Sequence, residues 1–402
     1  MSAKSNYDVI IAGGGPAGAS TAIHLAMRGA RVLLVEQKKF PRAKLCGEFI
    51  SPECARHFET LRVADAMTAA LPSQLTATVF YSRRGRNVRV PSSWFATNGV
   101  ALGLSRAEMD ERLLRRAAAA GAEVLEDTHA GNLLIEDQTV CGLRVKQAAR
   151  ETSYRAPVVV DATGRSRALT RKLMSEGRRH QRRSMVAFKA HFENTRVEDG
   201  ACEIYFYRGG YGGLSSIENG VSNLCFIAAA RDVRRSGADA DGVMRNVVWQ
   251  NRRAAFTLEH ARLASAWLAV SLESFGRGPV APRHGLLAIG DAASFIDPFT
   301  GSGMLMALES GELAARAIGK FLDHAPEHRS LEDLRTAYRD QYQHLFHARL
   351  RLSSWLRRAA FVPGFAAAAI SFFSTSELVR RKLAQATRGD RAETYSHPAR
   401  VK

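Results

Sequence analysis

Near the start of the sequence, glycines follow the spacing of a dinucleotide-binding loop. A buried-strand pattern at 8–12 leads into a G-x-G-x-x-G motif, and a helical pattern at 19–28 follows it. In such a motif the first glycine permits a tight turn, the second lets the backbone approach a pyrophosphate, and the third lets helix and strand pack closely. The helix N-terminus offers free N–H groups to phosphate oxygens. The residues expected to form this phosphate-binding loop are Gly13, Gly15, Pro16, Ala17 and Gly18.

An acidic residue ends the next predicted strand. Residues 31–35 form a second apolar run, and Glu36 follows it, 23 residues after Gly13. A carboxylate at this position accepts hydrogen bonds from a ribose 2′-OH, which favours an unphosphorylated adenosine ribose. The order strand, loop, helix, strand and acid predicts a dinucleotide-binding fold but leaves NAD and FAD open.

Two later segments favour FAD over NAD. Buried-strand patterns at 157–160 and 285–289 each end in polar and glycine residues, and a long amphipathic helix is predicted at 305–322. A carboxylate at a strand end, followed by a glycine-rich helix N-terminus, suits a ribityl chain and the edge of a flavin ring. The polar, proline, glycine and methionine positions of these segments are Asp161, Gly164, Gly290, Asp291, Pro298, Gly301, Gly303 and Met304.

In these motifs the sequence resembles the FAD-dependent oxidoreductases of the p-hydroxybenzoate hydroxylase-like superfamily. Within that superfamily it is most similar to the geranylgeranyl reductase-related branch. The matching residues are the glycine motif with Glu36, the segment 40–48 (FPRAKLCGE), Ser105-Arg106, the Asp-Ala-Thr-Gly of 161–164 and the segment 290–303. The resemblance spans residues 5–325 and implies FAD as the cofactor. It adds Gln37, Arg42, Cys46, Gly47 and Arg106 to the cofactor-binding residues named above.

The resemblance also implies a role for several of these residues. Arg106 would pair bidentately with the pyrophosphate, and Asp291 would hold ribityl hydroxyls. The backbone at 303–304 would lie against the pyrimidine edge of the flavin, where a helix dipole stabilises an anionic reduced ring. Asp161 and Gly164 match a motif linked to both FAD and pyridine nucleotide contact.

The expected fold class is α/β: a Rossmann-like FAD-binding domain with an inserted antiparallel-sheet substrate domain and a C-terminal helical segment. The FAD-binding domain is predicted to be discontinuous and to comprise residues 1–75, 101–180 and 275–329. The substrate-binding sheet domain would comprise 76–100 and 181–274, and the C-terminal helical region 330–402. Alternating patterns at 76–81 and 88–90 predict a hairpin, and further strands are expected at 185–192, 202–207 and 222–229.

The predicted substrate sheet carries three tyrosines, Tyr205, Tyr207 and Tyr211, as candidate substrate contacts. Alternating aromatics in a strand also serve simple sheet packing. Geranylgeranyl reductases typically carry a Tyr-x-Trp-x-Phe-Pro pattern here, and this sequence retains the tyrosine as Tyr211 but has Gly213 in place of the tryptophan. Without the indole of that tryptophan, the site has space for a different or bulkier substrate. The Trp-x-Trp-x-Ile-Pro signature of flavin-dependent halogenases is absent, which argues against halogenation.

The candidate catalytic residues are Cys46, Glu48 and Tyr211. Cys46 beside the flavin either tunes its redox chemistry or packs as a small side chain against the ring. Glu48 is either a proton donor or part of a structural ion pair. His191 is read as an acid–base group or, alternatively, as a strand histidine with satisfied partners. No metal site is expected, since the histidine pairs at helical spacing have no accompanying carboxylates.

The predicted function is that of an FAD-dependent oxidoreductase using NAD(P)H. Only one Rossmann-type glycine motif is present, so the nicotinamide would dock transiently. The expected reaction is reduction of a C=C bond in a lipidic, isoprenoid or polyketide-like substrate. The alternative is a flavin monooxygenase that hydroxylates or epoxidises through a flavin hydroperoxide. A more distant alternative is a basic, non-enzymatic binding protein.

Charge and cysteine content bear on partners and location. The sequence has 57 basic and 39 acidic residues, a net charge of +18. No nucleic-acid module or basic face with interleaved aromatics is found, so the charge predicts an anionic partner such as an acyl-carrier protein or a membrane surface. Five cysteines without a C-x-x-C pair favour a reducing cytoplasm, with a peripheral position at the inner face of a membrane as an extension. Helices are expected over 331–352, followed by an apolar stretch at 359–373 that either caps a lipid channel, touches membrane or packs on the FAD-binding domain.

Overall fold

A parallel sheet lies at the centre of the first part of the molecule. The computed structural model describes residues 4–5, 7–96, 99–173, 185–272, 276–297, 301–360 and 364–387. Numbered in chain order, the strands of this sheet are β2 (Val9–Ala12), β3 (Val32–Val35), β9 (Glu123–Leu125), β13 (Val158–Asp161) and β21 (Leu286–Ala288). They lie in the order β21-β13-β2-β3-β9, and each neighbouring pair is parallel. The predicted apolar runs therefore form the buried strands of a Rossmann-like sheet.

Helices cover one face of this parallel sheet. The covering and flanking helices are α1 (Pro16–Ala26), α2 (Cys54–Thr60), α3 (Ala64–Ala69), α4 (Arg106–Ala119), α5 (Ala168–Leu173), α9 (Gly290–Ala293) and α10 (Gly303–Asp323). α1 packs against α4 and α10, and their small and aliphatic side chains form the largest core of the molecule. The predicted helix at 19–28 begins earlier, at Pro16, because proline at the first helical position needs no hydrogen-bond acceptor.

A small sheet that the sequence patterns did not predict covers the opposite face. Its strands are β1 (Lys4–Ser5), β10 (His129–Glu136), β11 (Thr139–Gln147) and β12 (Arg150–Arg155), in the order β1-β12-β11-β10. Val140, Leu143 and Val145 of β11 pack against Ile10 and Val159 of the parallel sheet. This antiparallel cover replaces the helices that would otherwise bury the second face.

The second large layer is an eight-stranded sheet, here called the roof. Its strands are β6 (Ala77–Tyr81), β7 (Asn87–Pro91), β14 (Met185–Glu193), β15 (Ala201–Tyr207), β16 (Gly210–Ser216), β17 (Ser222–Ala229), β18 (Arg262–Leu263) and β19 (Leu268–Leu272). The path is β18-β14-β17-β16-β15-β6-β7, with β19 also paired to β14. All pairs are antiparallel except β15 with β6, and the predicted β6–β7 hairpin is confirmed. The inserted antiparallel sheet of the predicted fold class is therefore present.

Three short helices pack on the outer face of the roof. They are α6 (Ala230–Arg235), α7 (Ala240–Val247) and α8 (Arg252–Leu258). Their apolar residues, with roof residues such as Tyr205 and Phe226, form a second core. Two further small sheets contain β4 (Phe49–Ile50), β5 (Ser73–Leu75) and β8 (Ala101–Gly103) in one and β20 (Gly276–Arg277) and β22 (Ser294–Phe295) in the other.

The C-terminal helices join the two layers. They are α11 (Leu331–Ala360), α12 (Phe365–Phe373) and α13 (Glu377–Ala386). α11 packs along α10, whereas α12 and α13 contact β7 at the edge of the roof. The helix predicted at 331–352 runs on to Ala360, and part of the predicted apolar stretch, at 361–363, lies outside the described residues. Among the described helices none has the length and apolarity needed to cross a bilayer.

Candidate cofactor and substrate cleft

One large cleft of about 760 Å³ lies between the parallel sheet and the roof. The carboxyl ends of β2, β3, β13 and β21 open into it, and the carboxyl edge of an open α/β sheet is where ligands bind. The roof contributes the opposite wall, and α12 and α13 close one side. The cleft therefore combines a nucleotide-type cradle with a separate, largely apolar compartment.

The glycines of the first loop occupy three different environments. A Cβ on Gly13, whose φ is +114°, would lie 2.3 Å from the carbonyl oxygen of Ala162. A Cβ on Gly18 would lie 1.9 Å from the Gly13 carbonyl oxygen, so this glycine permits close packing and does not border the cleft. A Cβ on Gly15 would meet nothing closer than Arg106 Nη2, at 3.8 Å. The backbone at Gly15 thus borders open space at the N-terminus of α1, beside a guanidinium group.

Two arginines beside Gly15 share one buried carboxylate. Arg106 donates from Nε and Nη2 to the two oxygens of Asp110, each over 2.7 Å. Arg42 Nη1 lies 3.1 Å from Asp110 Oδ2, and Asp110 is fully buried. Asp110 was not predicted, although its i,i+4 spacing from Arg106 on α4 is a signal for such a pair. Because Asp110 engages the Nε–Nη2 edge of Arg106, that edge is not available for the bidentate pyrophosphate contact that the resemblance implied.

Further positive charge lines the neighbouring part of the cleft. Burial lowers the pKa of the Lys44 amine. The positive charges of Arg106, Arg42 and Arg165 lower this pKa further, whereas the carboxylate of Asp291 acts in the opposite direction. Cations that lower the pKa of a neighbouring amine mark a place where an anion is favourable. This region suits phosphate groups.

Most of the predicted cofactor-binding residues border the cleft. Those in its wall are Gly13, Gly15, Pro16, Ala17, Glu36, Gln37, Arg42, Cys46, Gly47, Arg106, Gly164, Gly290, Asp291, Gly301, Gly303 and Met304. Glu36 accepts hydrogen bonds from the backbone N–H groups of Gly14 and Lys38, over 2.8 and 2.9 Å. Burial raises the pKa of the Asp291 carboxyl, although the charges of Arg165 and Lys44 work to lower it. Pro298 lies outside the described residues.

Asp161 is not in contact with the cleft, and its prediction as a cofactor ligand is corrected. Its Oδ1 accepts hydrogen bonds from the backbone N–H and the hydroxyl of Thr163, over 3.1 and 2.6 Å. Its Oδ2 accepts from the backbone N–H of Thr170 over 2.8 Å, and the side chain is fully buried. Asp161 therefore shapes the loop that carries Gly164 and Arg165 to the cleft.

The roof presents alternate residues of each strand to the cleft. On β15 these are Cys202, Ile204 and Phe206, and the register aligns Ile204 with Phe80 of β6 and Gly213 of β16. Tyr205 and Tyr207 point to the other face and pack in the core with α7 and α8. Their prediction as substrate contacts is wrong, since successive strand residues face opposite sides of a sheet.

Tyr211 borders the cleft and ties the two layers together. Its hydroxyl donates to Asp297 Oδ1 in the loop before α10. Asp297 is buried, and its Oδ2 lies 3.8 Å from Arg357 Nε on α11. One roof tyrosine is thus linked through a carboxylate to the C-terminal helix.

Glu48 is the centre of a buried ion-pair network at the polar end of the cleft. Its Oε1 accepts from Lys189 Nζ over 2.5 Å and from the backbone N–H of Arg106 over 2.9 Å. Its Oε2 lies 2.7 Å from His191 Nε2. Burial alone would raise the pKa of Glu48, but the hydrogen bond with His191 and the charge of Lys189 outweigh it, so the pKa lies below its ordinary value. An ionised carboxylate requires a proton on His191 Nε2, so Glu48 acts here as an acceptor.

Two cysteine thiols lie near this network. Cys46 Sγ accepts from the backbone N–H of Glu48 over 3.4 Å, and Cys46 and Cys225 both line the cleft. Burial raises the pKa of Cys225 to about 12. A thiol with such a pKa is not a nucleophile at neutral pH.

The part of the chain that builds this cleft matches a known family. A family model described as "FAD binding domain" matches residues 6–339. The chain belongs to this family. The predicted class of FAD-dependent oxidoreductase is thereby confirmed.

Relatives and solved structures agree with the flavoprotein assignment. The chain is 27% identical over 326 residues to the digeranylgeranylglycerophospholipid reductase of Methanosarcina mazei, covering 78% of this chain and 75% of that protein. A geranylgeranyl bacteriochlorophyll reductase-like protein from Thermoplasma acidophilum superposes with a TM-score of 0.78 at 20% identity, covering 96% and 97% of the two chains. The flavin-dependent brominase Bmp2 gives 0.79 at 21% identity, covering 96% and 94%. The predicted fold class and the relationship to geranylgeranyl reductases are confirmed.

The residues of the cleft fit the cofactor of the FAD-binding-domain family. The open backbone at Gly15 and the neighbouring cations suit two phosphates. Glu36 supplies a carboxylate for the ribose hydroxyls at the end of β3. Asp291 accepts no hydrogen bond from the part of the chain that the structure describes, and it borders the cleft at the start of α9, where a polyol chain would supply donors.

Proposed function

We propose that this flavoprotein reduces C=C bonds of a lipidic substrate with hydride from NAD(P)H. The observation that carries the proposal is the apolar compartment that adjoins the cradle. Its wall includes roof residues such as Phe80, Ile204 and Phe206, and C-terminal residues such as Ile370 and Phe373. Apolar side chains of this kind bind hydrocarbon chains by excluding water from both surfaces. Relatives that are named as reductases of geranylgeranyl lipids support the same substrate class.

The residues proposed to hold FAD divide by chemistry. The backbone at Gly13–Gly18 and the side chains of Arg42 and Arg106 would bind the pyrophosphate, and Asp291 would hold ribityl hydroxyls. The N-terminus of α10, at Gly303 and Met304, would lie against the pyrimidine edge. When bound, FAD supplies hydride transfer between the nicotinamide and the substrate.

The protein's own contribution is to orient the substrate and to supply a proton. Saturating one C=C bond takes one hydride and one proton. His191 holds a proton at Nε2 against Glu48, and its side chain is 22% exposed, so it can exchange that proton with solvent. Glu48 lines the cleft at the inner end of this pair. We propose that the proton passes from His191 Nε2 to Glu48 Oε2 and from Glu48 to the substrate, and that His191 then regains a proton from solvent.

Docking of NAD(P)H is proposed to be transient. A single Rossmann-type glycine motif is present in the sequence, and we assign it to FAD. Lys44 and Arg165 line the cleft beyond the pyrophosphate cradle, where they suit the phosphates of a second nucleotide. Arg165 also stacks at 5.5 Å over the ring of Phe295, which fixes its guanidinium at the cleft edge.

Anaerobic turnover tests the proposed reaction. FAD-loaded protein is mixed with NADPH or NADH and a geranylgeranylated glycerolipid without oxygen, and the products are analysed by mass spectrometry. The proposal expects a gain of two hydrogens for each double bond and consumption of one nicotinamide. A product that requires oxygen and gains one oxygen atom would establish the monooxygenase alternative and overturn the proposal.

A bulky residue at Gly213 tests the substrate compartment. The site of a Cβ on Gly213 lies 3.1 Å from Ile204 Cδ1, so the indole of Gly213→Trp would project into the apolar space. We expect FAD to be retained and kcat/KM for the lipid to fall by about tenfold or more, through the loss of apolar contact. The matched control is Gly213→Ala, which adds only a Cβ at the same position and leaves the apolar space open. Unchanged kcat/KM in Gly213→Trp would contradict binding in this compartment.

A further inference from the structure

The C-terminal helices carry an unusual concentration of exposed apolar side chains. Ten large apolar side chains are exposed in the part of the chain that the structure describes, and five of them lie between residues 355 and 379. These five are Trp355, Phe365, Phe372, Leu378 and Val379. These five residues and the basic side chains Arg358, Arg381 and Lys382 form a surface that we call the docking face.

α12 has no charged residue, although it lies at the surface. Its sequence is FAAAAISFF, and of these residues Ile370 alone is fully buried. A helix that packs only against its own domain shows a polar outer face, because exposed apolar area is unfavourable in water. The outer side of α12 instead presents Phe372, which is 61% exposed. Phe365, which is 36% exposed, lies between this side and the cleft that it also lines. This side has the composition of a helix face that is covered by a binding partner.

Positive charge flanks the apolar helix. The segments around it carry Arg357-Arg358 and Arg380-Arg381-Lys382 against one acidic residue, Glu377. Arg358, Arg381 and Lys382 are exposed, whereas Arg357 points inward to Asp297. Apolar and aromatic side chains next to exposed arginine and lysine are the combination that binds the boundary of an anionic bilayer.

The same helices form the wall of the substrate compartment. Phe372 and Phe373 are neighbours with ring centroids 5.4 Å apart, and Phe372 faces out while Phe373 lines the cleft. Ala366, Ala369 and Leu383 also line the cleft from α12 and α13. The apolar surface of the docking face is therefore separated from the substrate compartment by the thickness of a single helix.

We propose that the docking face binds an anionic lipid bilayer. Trp355, Phe372 and Leu378 enter the headgroup region, and Arg381 and Lys382 contact lipid phosphates. A lipid chain reaches the compartment beside α12 without crossing water. The proposal goes beyond the proposed function, because docking requires neither a particular reaction nor a bound substrate. A second copy of this chain or an acidic carrier protein would cover apolar area too, but neither needs an apolar helix next to a lipid-sized compartment.

Vesicle flotation with the full-length, FAD-loaded protein tests the proposal without any turnover. The probes are phosphatidylcholine vesicles with about one-third phosphatidylglycerol and vesicles of pure phosphatidylcholine. Two variants disrupt the docking face: Phe372→Ser with Leu378→Ser, and Arg381→Glu with Lys382→Glu. Their matched controls are Leu71→Ser with Leu263→Ser, and Arg144→Glu with Arg150→Glu, which change exposed residues elsewhere on the surface.

The expected result is binding to the anionic vesicles that falls at about 1 M NaCl, where the Debye length is about 3 Å. Each docking-face variant should lower the bound fraction about tenfold, while both controls and the FAD absorbance stay unchanged. The proposal is overturned if the wild type stays unbound at low salt, or if the controls lower binding as much as the docking-face variants. It is also overturned if the docking-face variants only dissociate a homo-oligomer in sedimentation.

Discussion

At the scale of single residues, two glycines of one motif have different structural roles. Gly18 lets α1 pack against the first loop, since any Cβ there would overlap the Gly13 carbonyl oxygen. Gly15 borders open space, so packing does not require a glycine there, and we expect its lack of a side chain to serve a ligand. The two positions separate the demands of the fold from those of the cofactor.

This difference predicts opposite outcomes for two valine substitutions. Gly15→Val should fold with an unchanged thermal midpoint as apoprotein but lose FAD affinity by about 100-fold or more, equivalent to about 3 kcal/mol. Gly18→Val should instead lower the stability of the apoprotein, because its Cβ meets backbone at 1.9 Å. Visible absorbance after gel filtration measures FAD retention, and calorimetry measures stability. Full flavin occupancy in Gly15→Val would refute the assignment of the pyrophosphate to this loop.

The ionisation of the buried Glu48 carboxyl is set by the groups around it. Alone, burial would favour the protonated form, but Lys189 and His191 hold it ionised. Because its pKa is lower in the folded state, its contribution to stability is complete above the unfolded value of about 4.3. That contribution is lost as the pH falls through the folded pKa.

Glu48→Gln should therefore be less stable than the wild type by about 3 kcal/mol at neutral pH, since Lys189 loses its buried counter-charge. The difference should stay constant down to about pH 5 and shrink below about pH 4. Urea denaturation of FAD-saturated protein across this range provides the measurement. Glu136→Gln, which alters an exposed pair with Arg155, is the control and should follow the wild-type curve. A difference that grows on acidification would contradict an ionised Glu48.

At the scale of elements, the strand β15 decides which side chains line the cleft. Its alternation sends Ile204 and Phe206 into the cleft and Tyr205 and Tyr207 into the core behind it. The sequence pattern identified the strand correctly, because apolar and aromatic residues alternate over its length. Both of its faces are buried, however, so hydrophobicity alone does not tell which face meets the cleft.

Substitutions on the two faces of β15 should have separable effects. Ile204→Asn should raise KM for a lipid about tenfold, because a polar side chain replaces apolar contact in the compartment. Tyr205→Phe should leave KM unchanged and lower stability by about 1 kcal/mol, through loss of the hydrogen bond to Glu203. Steady-state kinetics and chemical denaturation distinguish the two. An equal rise of KM in Tyr205→Phe would contradict the observed register.

At the scale of the whole molecule, the site exists only where separate parts of the chain meet. The parallel sheet supplies the cradle, the roof supplies the opposite wall, and the C-terminal helices close the side. A buried pair between Arg349 of α11 and Glu309 of α10, at 2.6 Å, attaches these helices to the first layer. The stability of the closed cleft therefore depends on this contact.

The pair between Arg349 and Glu309 should behave as a coupled unit. Arg349→Met should lower the free energy of unfolding by about 3 kcal/mol, because Glu309 remains buried without its partner's charge. Adding Glu309→Met should recover most of that loss, since two apolar side chains need no compensation. Unfolding of the two single variants and the double variant by urea gives the coupling. Additive losses in the double variant would argue against the pair as the link between α10 and α11.

Local sequence patterns predicted four of the five parallel strands, the glycine loop and the FAD-dependent class, whereas the short strand β9 was not predicted. These features depend on local spacing: apolar runs form buried strands, and glycines stand where backbone or ligand must come close. Only the packing of the layers brings Glu48 to Lys189 and His191, and Asp110 to Arg42. Glu48 lies more than 140 residues from its partners along the chain. Contacts at such separation depend on how the layers pack and on strand register, which local patterns do not encode.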